Sequence, residues 1–183
     1  MSDHELSRPS TRTAPAAIAF AVGPTLLGEV LVARRSEGVC AILLGDRAEN
    51  LVRELEAIFP HSPREMRQEA LRSELAAAVA LTERPWTPFE PPIAIGGTPF
   101  QNMVWAALRQ IPAGVTVSYA EIARRIGKPS AVRAVAGACA ANVLAIAIPC
   151  HRVLRSDGTL SGYRWGMARK RELISREKSA TAT

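Results

Sequence analysis

The chain has 183 residues, enough for one domain of ordinary size or two small ones, and 48% of them are apolar, the share of a protein that buries a core. No apolar run nears the ~20 residues of a membrane-spanning helix. Three cysteines (Cys40, Cys139 and Cys150) without a C-x-x-C pair give neither a disulfide framework nor a zinc site, so a reducing, cytoplasmic setting without a bound metal is expected.

The net charge of +6 is unevenly divided. Residues 1–95 hold ten Arg and no Lys against thirteen Asp and Glu, whereas residues 96–183 hold thirteen Lys and Arg against four. Such a second half suits a polyanionic partner, though a merely soluble basic domain has the same charge.

Residues 1–15, polar with Pro, Ser and Thr, read as a disordered tail that lacks the apolar core of a secretory signal. Three apolar or alternating runs follow, over 16–22, 26–32 and 39–44. Gly23-Pro24 and Glu37-Gly38 punctuate them, which predicts an antiparallel meander. Leu51, Leu55 and Ile58 predict a helix over 48–59 stopped by Pro60, and Leu71, Leu75 and Val79 predict a second over 64–81. Residues 84–92 are Pro-rich, a linker that ends in Ile93-Ala94-Ile95. This half shows no constellation of reactive side chains, and its role is support.

Gly96-Gly97 marks the boundary between a supporting domain over 16–95 and a second domain over 96–178, followed by a tail over 179–183. Thr98 with Gln101 forms a capping box and Pro99 suits the first helical position. Phe100, Val104, Leu108 and Ile111 then make one stripe. A second capping box, Ser118-Tyr119-Ala120-Glu121, opens a short helix over 119–126 that ends at Gly127. After Lys128-Pro129, Ser130 is placed to cap a helix over 131–141. Helix, glycine turn, helix is the helix-turn-helix pattern. A helix that reads base edges in the major groove carries Arg, Asn or Gln. This one carries Ala131, Ala134, Ala136, Gly137, Ala138, Ala140 and Ala141, with Arg133 its one long polar side chain. It suits close approach to a narrow groove with Arg133 protruding, or tight packing on the core.

Residues 144–148 are an apolar run long enough for a buried strand, which Pro149 should end. Cys150 then stands beside His151 and Arg152, where a neighbouring imidazole or cation favours the thiolate. It is a candidate nucleophile, although a small buried structural Cys has the same local pattern. The glycine-punctuated stretch over 161–166 carries Tyr163, Arg164 and Trp165 and could line a base-sized pocket. A last helix is expected over 167–177. Glu177 shares the face of Leu173 and Ile174 and points inward to His151, unless the helix frays and leaves it in water.

Pro149-Cys150-His151-Arg152-Val153 resembles the signature of the O6-alkylguanine-DNA alkyltransferases, the methylated-DNA–protein-cysteine methyltransferases. Gly97-Thr98-Pro99-Phe100-Gln101, Val117-Ser118-Tyr119, Ala131-Val132-Arg133-Ala134-Val135, Ala141-Asn142 and Ser161-Gly162-Tyr163 resemble the same family in the same order. Residues 38–46 resemble the alkyltransferase part of bacterial adaptive-response proteins. The resemblance covers about residues 16–178.

It implies an α+β chain with a small antiparallel-sheet, ribonuclease-H-like N-terminal domain and a winged helix-turn-helix C-terminal domain. It implies a cofactor-free monomer that meets alkylated double-stranded DNA and no membrane. The implied reaction is irreversible transfer of the alkyl group of O6-alkylguanine, and of O4-alkylthymine, to Cys150, with the base flipped through the minor groove. In that reading Cys150 is the acceptor, His151 the base that acts through a water, and Glu177 the carboxylate that orients it. Asn142 bridges the helix-turn-helix to the active-site turn, and Tyr119 supports the nucleotide and protonates the leaving guanine. Arg133 fills the gap left by the flipped base, with Lys128, Ser130, Ala131, Ala134 and Gly137 against the DNA. Tyr163, Val153, Ser161 and Arg164 form the guanine pocket. Arg164 departs from relatives that have Ser there. The cysteine-rich module with its metal site and the activator module of adaptive-response proteins are not expected.

Overall fold

Alternating and continuous apolar runs build the first sheet. The computed structural model describes residues 17–181, so the tail expected over 1–15 lies outside the described residues. Strands β1 (Ile18–Thr25), β2 (Gly28–Arg35) and β3 (Gly38–Gly45) pair antiparallel as the expected meander, and β3 is buried on both faces except at its last residue. Helix α1 (Ala48–Ile58) packs on β2 and β3 through Leu51 and Leu55.

The helix expected over 64–81 is two elements. Arg64–Met66 forms strand β4, parallel to β1, and α2 begins only at Arg72 and runs to Glu83. The free edge of β1 explains the difference, because its unpaired groups need partners. Ile18 N–H donates to Pro63 O at 2.8 Å and Arg67 N–H to Phe20 O at 2.8 Å. The sheet order is therefore β3-β2-β1-β4.

The linker is used as structure. Val39 N–H donates to Pro92 O and Ala94 N–H to Val39 O, which covers one stretch of the β3 edge. Gly38 permits this approach: at φ +142° its backbone lies so close to Pro92 that an added Cβ would meet the carbonyl oxygen at 2.5 Å.

Helix α3 (Pro99–Leu108) has both halves of its expected capping box and buries Val104, Trp105 and Leu108. The Trp105 indole N–H donates to Ala138 O at 2.9 Å and fixes α3 on a later helix. Strand β5 (Val117–Ser118) leads into α4 (Tyr119–Arg125), where the Ser118 hydroxyl accepts from Glu121 N–H. Gly127, at φ +71°, makes the left-handed turn that ends α4. Helix α5 spans Val132–Ala140 and packs on α3 and α4. Ser130 does not cap it. Ala131 holds the N-cap position without a side-chain bond, because the turn closed by Ala131 N–H on Lys128 O leaves Ser130 one residue outside.

The buried strand expected over 144–148 is a tight turn. Ile148 N–H returns to Leu144 O, and Ile146 is the one non-glycine residue with positive φ, +66°, among the described residues. The run is buried as its composition demands, but it folds back on itself. A 3-10 turn follows over Cys150–Arg152, then β6 (Val153–Leu154), which pairs with β5. Helix α6 spans Met167–Thr181, four residues past the expected end and into the expected tail. Its Lys170, Leu173 and Glu177 are all buried. No described helix is long and apolar enough to cross a membrane.

Candidate active site

The turn over 142–150 is stapled by one side chain. Asn142, fully buried, accepts from Leu144 N–H at 2.9 Å through Oδ1 and donates through Nδ2 to Ile148 O at 2.9 Å. The same Nδ2 lies 3.1 Å from Cys150 Sγ, an N–H···S hydrogen bond. The turn thus presents Cys150, 4% exposed, at the wall of a cavity of about 530 Å³. Tyr119, Ser161, Tyr163 and Arg164 line that cavity with Cys139 from α5. Burial pushes the Cys150 thiol up, while the Asn142 hydrogen bond and then the Lys170 and Arg164 charges act against it. Cys139 is pushed up to about 12 by burial, so its thiol stays protonated.

Behind Cys150, burial holds the His151 imidazole below its ordinary value despite the adjacent Glu177 carboxylate. His151 Nε2 lies 2.9 Å from Glu177 Oε1. A carboxylate only accepts, so Nε2 carries the proton and Nδ1 keeps a lone pair. Nδ1 is buried and bonds no other protein group. Glu177 also accepts from Gly114 N–H at 3.1 Å and from Arg152 Nη2 at 2.8 Å and Nε at 3.1 Å. Burial alone would raise this carboxyl, but the hydrogen bonds of His151 and Arg152 hold it below the usual range. Arg152 further donates to Ile111 O and Pro85 O, so each arm of its guanidinium is anchored.

On the opposite side, the Tyr119 hydroxyl and Ser161 Oγ lie 2.6 Å apart, and burial raises the Tyr119 phenol. A phenol held protonated is a proton donor. Lys170 is fully buried. Its Nζ donates to Val153 O at 2.6 Å, and burial lowers it.

The structure therefore forms two hydrogen-bonded groups next to each other in the chain, Asn142 with Cys150 and His151 with Glu177 and Arg152, and sets Tyr119, Ser161, Tyr163 and Arg164 around the cavity. Val153 is buried, is not among the residues that line the cavity, and gives its carbonyl to Lys170 Nζ. Lys128, Ser130, Arg133, Ala134 and Gly137 are exposed, and Ala131 is half-buried. A Cβ added at Gly137 would meet nothing within 4 Å, so this face of α5 is open. Arg152, expected beside the thiol as a cation, is instead bound to Glu177, and Lys170 was not expected in the site. The spacing of Lys170, Leu173 and Glu177 at i, i+3 and i+7 was the available signal for Lys170. Arg152 was signalled by an inward Glu177 that needed a cation. Among the described residues no cluster of three or more His, Cys, Asp or Glu could hold a metal ion.

Residues 99–179 match the family model described as 6-O-methylguanine DNA methyltransferase, DNA binding domain. The chain is 51% identical over 161 residues to the bifunctional transcriptional activator/DNA repair enzyme Ada of Escherichia coli, which is 88% of this chain and 46% of that protein. It is 49% identical over 94 residues to the inducible methylated-DNA–protein-cysteine methyltransferase of Bacillus subtilis, 51% of this chain and 52% of that protein. It thus spans about half the length of these relatives. Among solved structures, the O6-methylguanine methyltransferase of Mycobacterium tuberculosis superposes with a TM-score of 0.70 at 34% identity, over 88% of this chain and 93% of that one. The same organism's protein, solved in complex with DNA, matches with a TM-score of 0.70 at 32% identity over the same shares of the two chains.

Proposed function

The chain belongs to the O6-methylguanine-DNA methyltransferase family, and from that premise we propose that it repairs DNA by moving an alkyl group from the O6 of guanine to its own Cys150. The observation that carries the reading is the bonded pair Asn142–Cys150, at the wall of a cavity with room for a base, followed in the chain by the bonded pair His151–Glu177. It has nucleophile, base and orienter in order.

His151 Nδ1 takes the thiol proton through a water, and the Glu177 carboxylate, which Arg152 holds in place, stabilises the imidazolium that forms. Cys150 Sγ then attacks the alkyl carbon. The S–C bond forms as the C–O6 bond breaks, and the electron pair leaves on the guanine, which Tyr119 protonates. The proton held on His151 then returns through solvent to the Tyr119 phenolate, so the net exchange is the thiol proton for the alkyl group. A thioether carbon is not an acyl carbon, so no water restores the thiol and each molecule acts once.

An O6-alkyl group inside a duplex is out of reach of a buried thiol, so the base must be flipped. The open face of α5, with Arg133 exposed and Lys128 and Ser130 at its start, supports minor-groove approach with Arg133 filling the stack. The sheet half reads as a ribonuclease-H-like supporting domain over 16–95. Helices α3 to α5 with the β5–β6 pair read as a winged helix-turn-helix domain over 96–178. O4-alkylthymine is the second substrate of this reading, and the protein acts as a cytoplasmic monomer.

Intact-mass spectrometry after incubation with a duplex carrying one O6-methylguanine tests it. One methyl mass gain, mapped to Cys150, with restored guanine is expected. Cys150→Ser should take no methyl group and keep its affinity for the lesion. Tight lesion binding by the wild type without any mass gain would replace the transfer reading with that of a binding module.

A further inference from the structure

Helix α1 belongs to the sheet half and lines no part of the Cys150 cavity, yet one of its side chains reaches the cavity wall through a partner. Arg164, on the cavity loop, donates through Nε to Glu54 Oε1 at 2.8 Å and through Nη1 to Ala140 O at 3.3 Å. Ala140 is the last residue of α5 and lines the same cavity. The guanidinium therefore spans from the loop to α5 along one side of the space above Cys150. Both side chains of the ion pair are 28% exposed, so neither is lost in bulk water nor wholly desolvated. An arginine stem is long and rotatable, and what fixes it is the geometry of its acceptors. A second tie, Arg169 to Leu27 O and to the Asp46 carboxylate, holds the start of α6 on the sheet half. Only the Glu54 tie ends on a residue that lines the cavity.

Resting on the transfer reading above, we propose that Glu54 is a positioning residue that sets which O6-substituents the site accepts, by pinning Arg164 across the cavity wall. A methyl group fits without moving the guanidinium. A longer chain competes with it for volume, and the Glu54 carboxylate resists its displacement. The selectivity of a site built from the C-terminal half is in this way governed from the N-terminal half.

Single-turnover transfer to Cys150 from duplexes carrying O6-methylguanine or O6-butylguanine tests this. Glu54→Gln keeps the side-chain size and removes the charge, and it should raise the butyl-to-methyl rate ratio about threefold, the scale of a half-exposed ion pair. Glu54→Lys, which repels Arg164, should raise it further. Arg164→Ala should raise it at least as much, and the double variant Glu54→Gln with Arg164→Ala should equal Arg164→Ala alone, as required of a residue that acts through another. A ratio unmoved by both Glu54 variants, or additive effects in the double variant, overturns the inference. Loss of rate on both substrates in equal proportion would mark Glu54 as merely structural and overturns it as well. A wild type that takes no methyl group at all brings down the transfer reading, and this inference with it. A wild type that takes the methyl group, with a ratio indifferent to Glu54, brings down the inference alone.

Discussion

Cys150 and His151 rest in their uncharged forms, and burial is the first cause for both. The thiol is pushed up and the imidazole down, so the pair holds a proton ready to move rather than a preformed thiolate and imidazolium. The effect on stability has a definite sign. His151 lies below its ordinary value of 6.5 in the fold, so the unfolded chain binds more protons there as the medium acidifies. Stability is full above that value and falls as pH drops through it. Glu177, held below its ordinary 4.5, contributes stability that is present above 4.5 and lost as pH falls through its folded value. Urea midpoints measured from about pH 8 to about pH 5 should therefore decline, and His151→Gln should flatten the part of the slope near neutrality. A wild-type midpoint that climbs toward pH 5 would contradict the buried, neutral imidazole.

At the level of elements, α5 carries the sharpest consequence. Its inner face packs through Val135, Ala138 and Cys139, and its outer face is Arg133 among small residues. Arg133→Ala should slow repair of a duplex lesion far more than attack on free O6-benzylguanine, because a free base leaves no gap to fill. Equal losses on both substrates would remove Arg133 from that role. The helices around α5 were legible because their signals are local: the Thr98–Gln101 box, the Ser118 cap and the Gly127 turn each need only neighbouring residues. Elements that depend on distant partners were not. The Leu71, Leu75 and Val79 stripe is a true helical signal, but residues 64–66 become a strand because β1 offers them an open edge 46 residues upstream. Residues 144–148 have the composition of a strand and are turned instead by Asn142, with Ile146 in a conformation costly for a β-branched side chain, about 1–3 kcal/mol. Cys150, His151 and Glu177 were readable from pattern and resemblance. The bonds of Arg152 to Glu177 and of Lys170 to Val153 were only hinted at by spacing, since the partners that a buried cation finds are fixed once the core exists.

Across the whole molecule the two halves share backbone and charge. Arg152 reaches Pro85, Arg176 reaches Thr82, and Arg164 and Arg169 reach Glu54 and Asp46. The Cys150 thiol sits in this shared framework, bonded to Asn142. An alkyl group on Cys150 removes the S–H and adds volume at a packed wall, where overpacking typically costs about 1–3 kcal/mol. The alkylated protein should melt several degrees lower than the fresh protein in calorimetry. An identical melting temperature would show that the cavity takes the group without strain.

The turn that displays Cys150 has a second occupation in the sheet. Ile42, in the middle of β3, gives its N–H to Val143 O and takes Ala145 N–H on its carbonyl. The residues beside the thiol are thus the cover of an otherwise open, apolar border strand, and open strands of that kind invite pairing with other chains. If reaction at Cys150 loosens the turn, the spent molecule uncovers an adhesive seam that the fresh molecule conceals. A protein used once would then carry the record of its use as a change in colloidal behaviour, and clearance could sort old copies from new by stickiness without inspecting the sulfur at all.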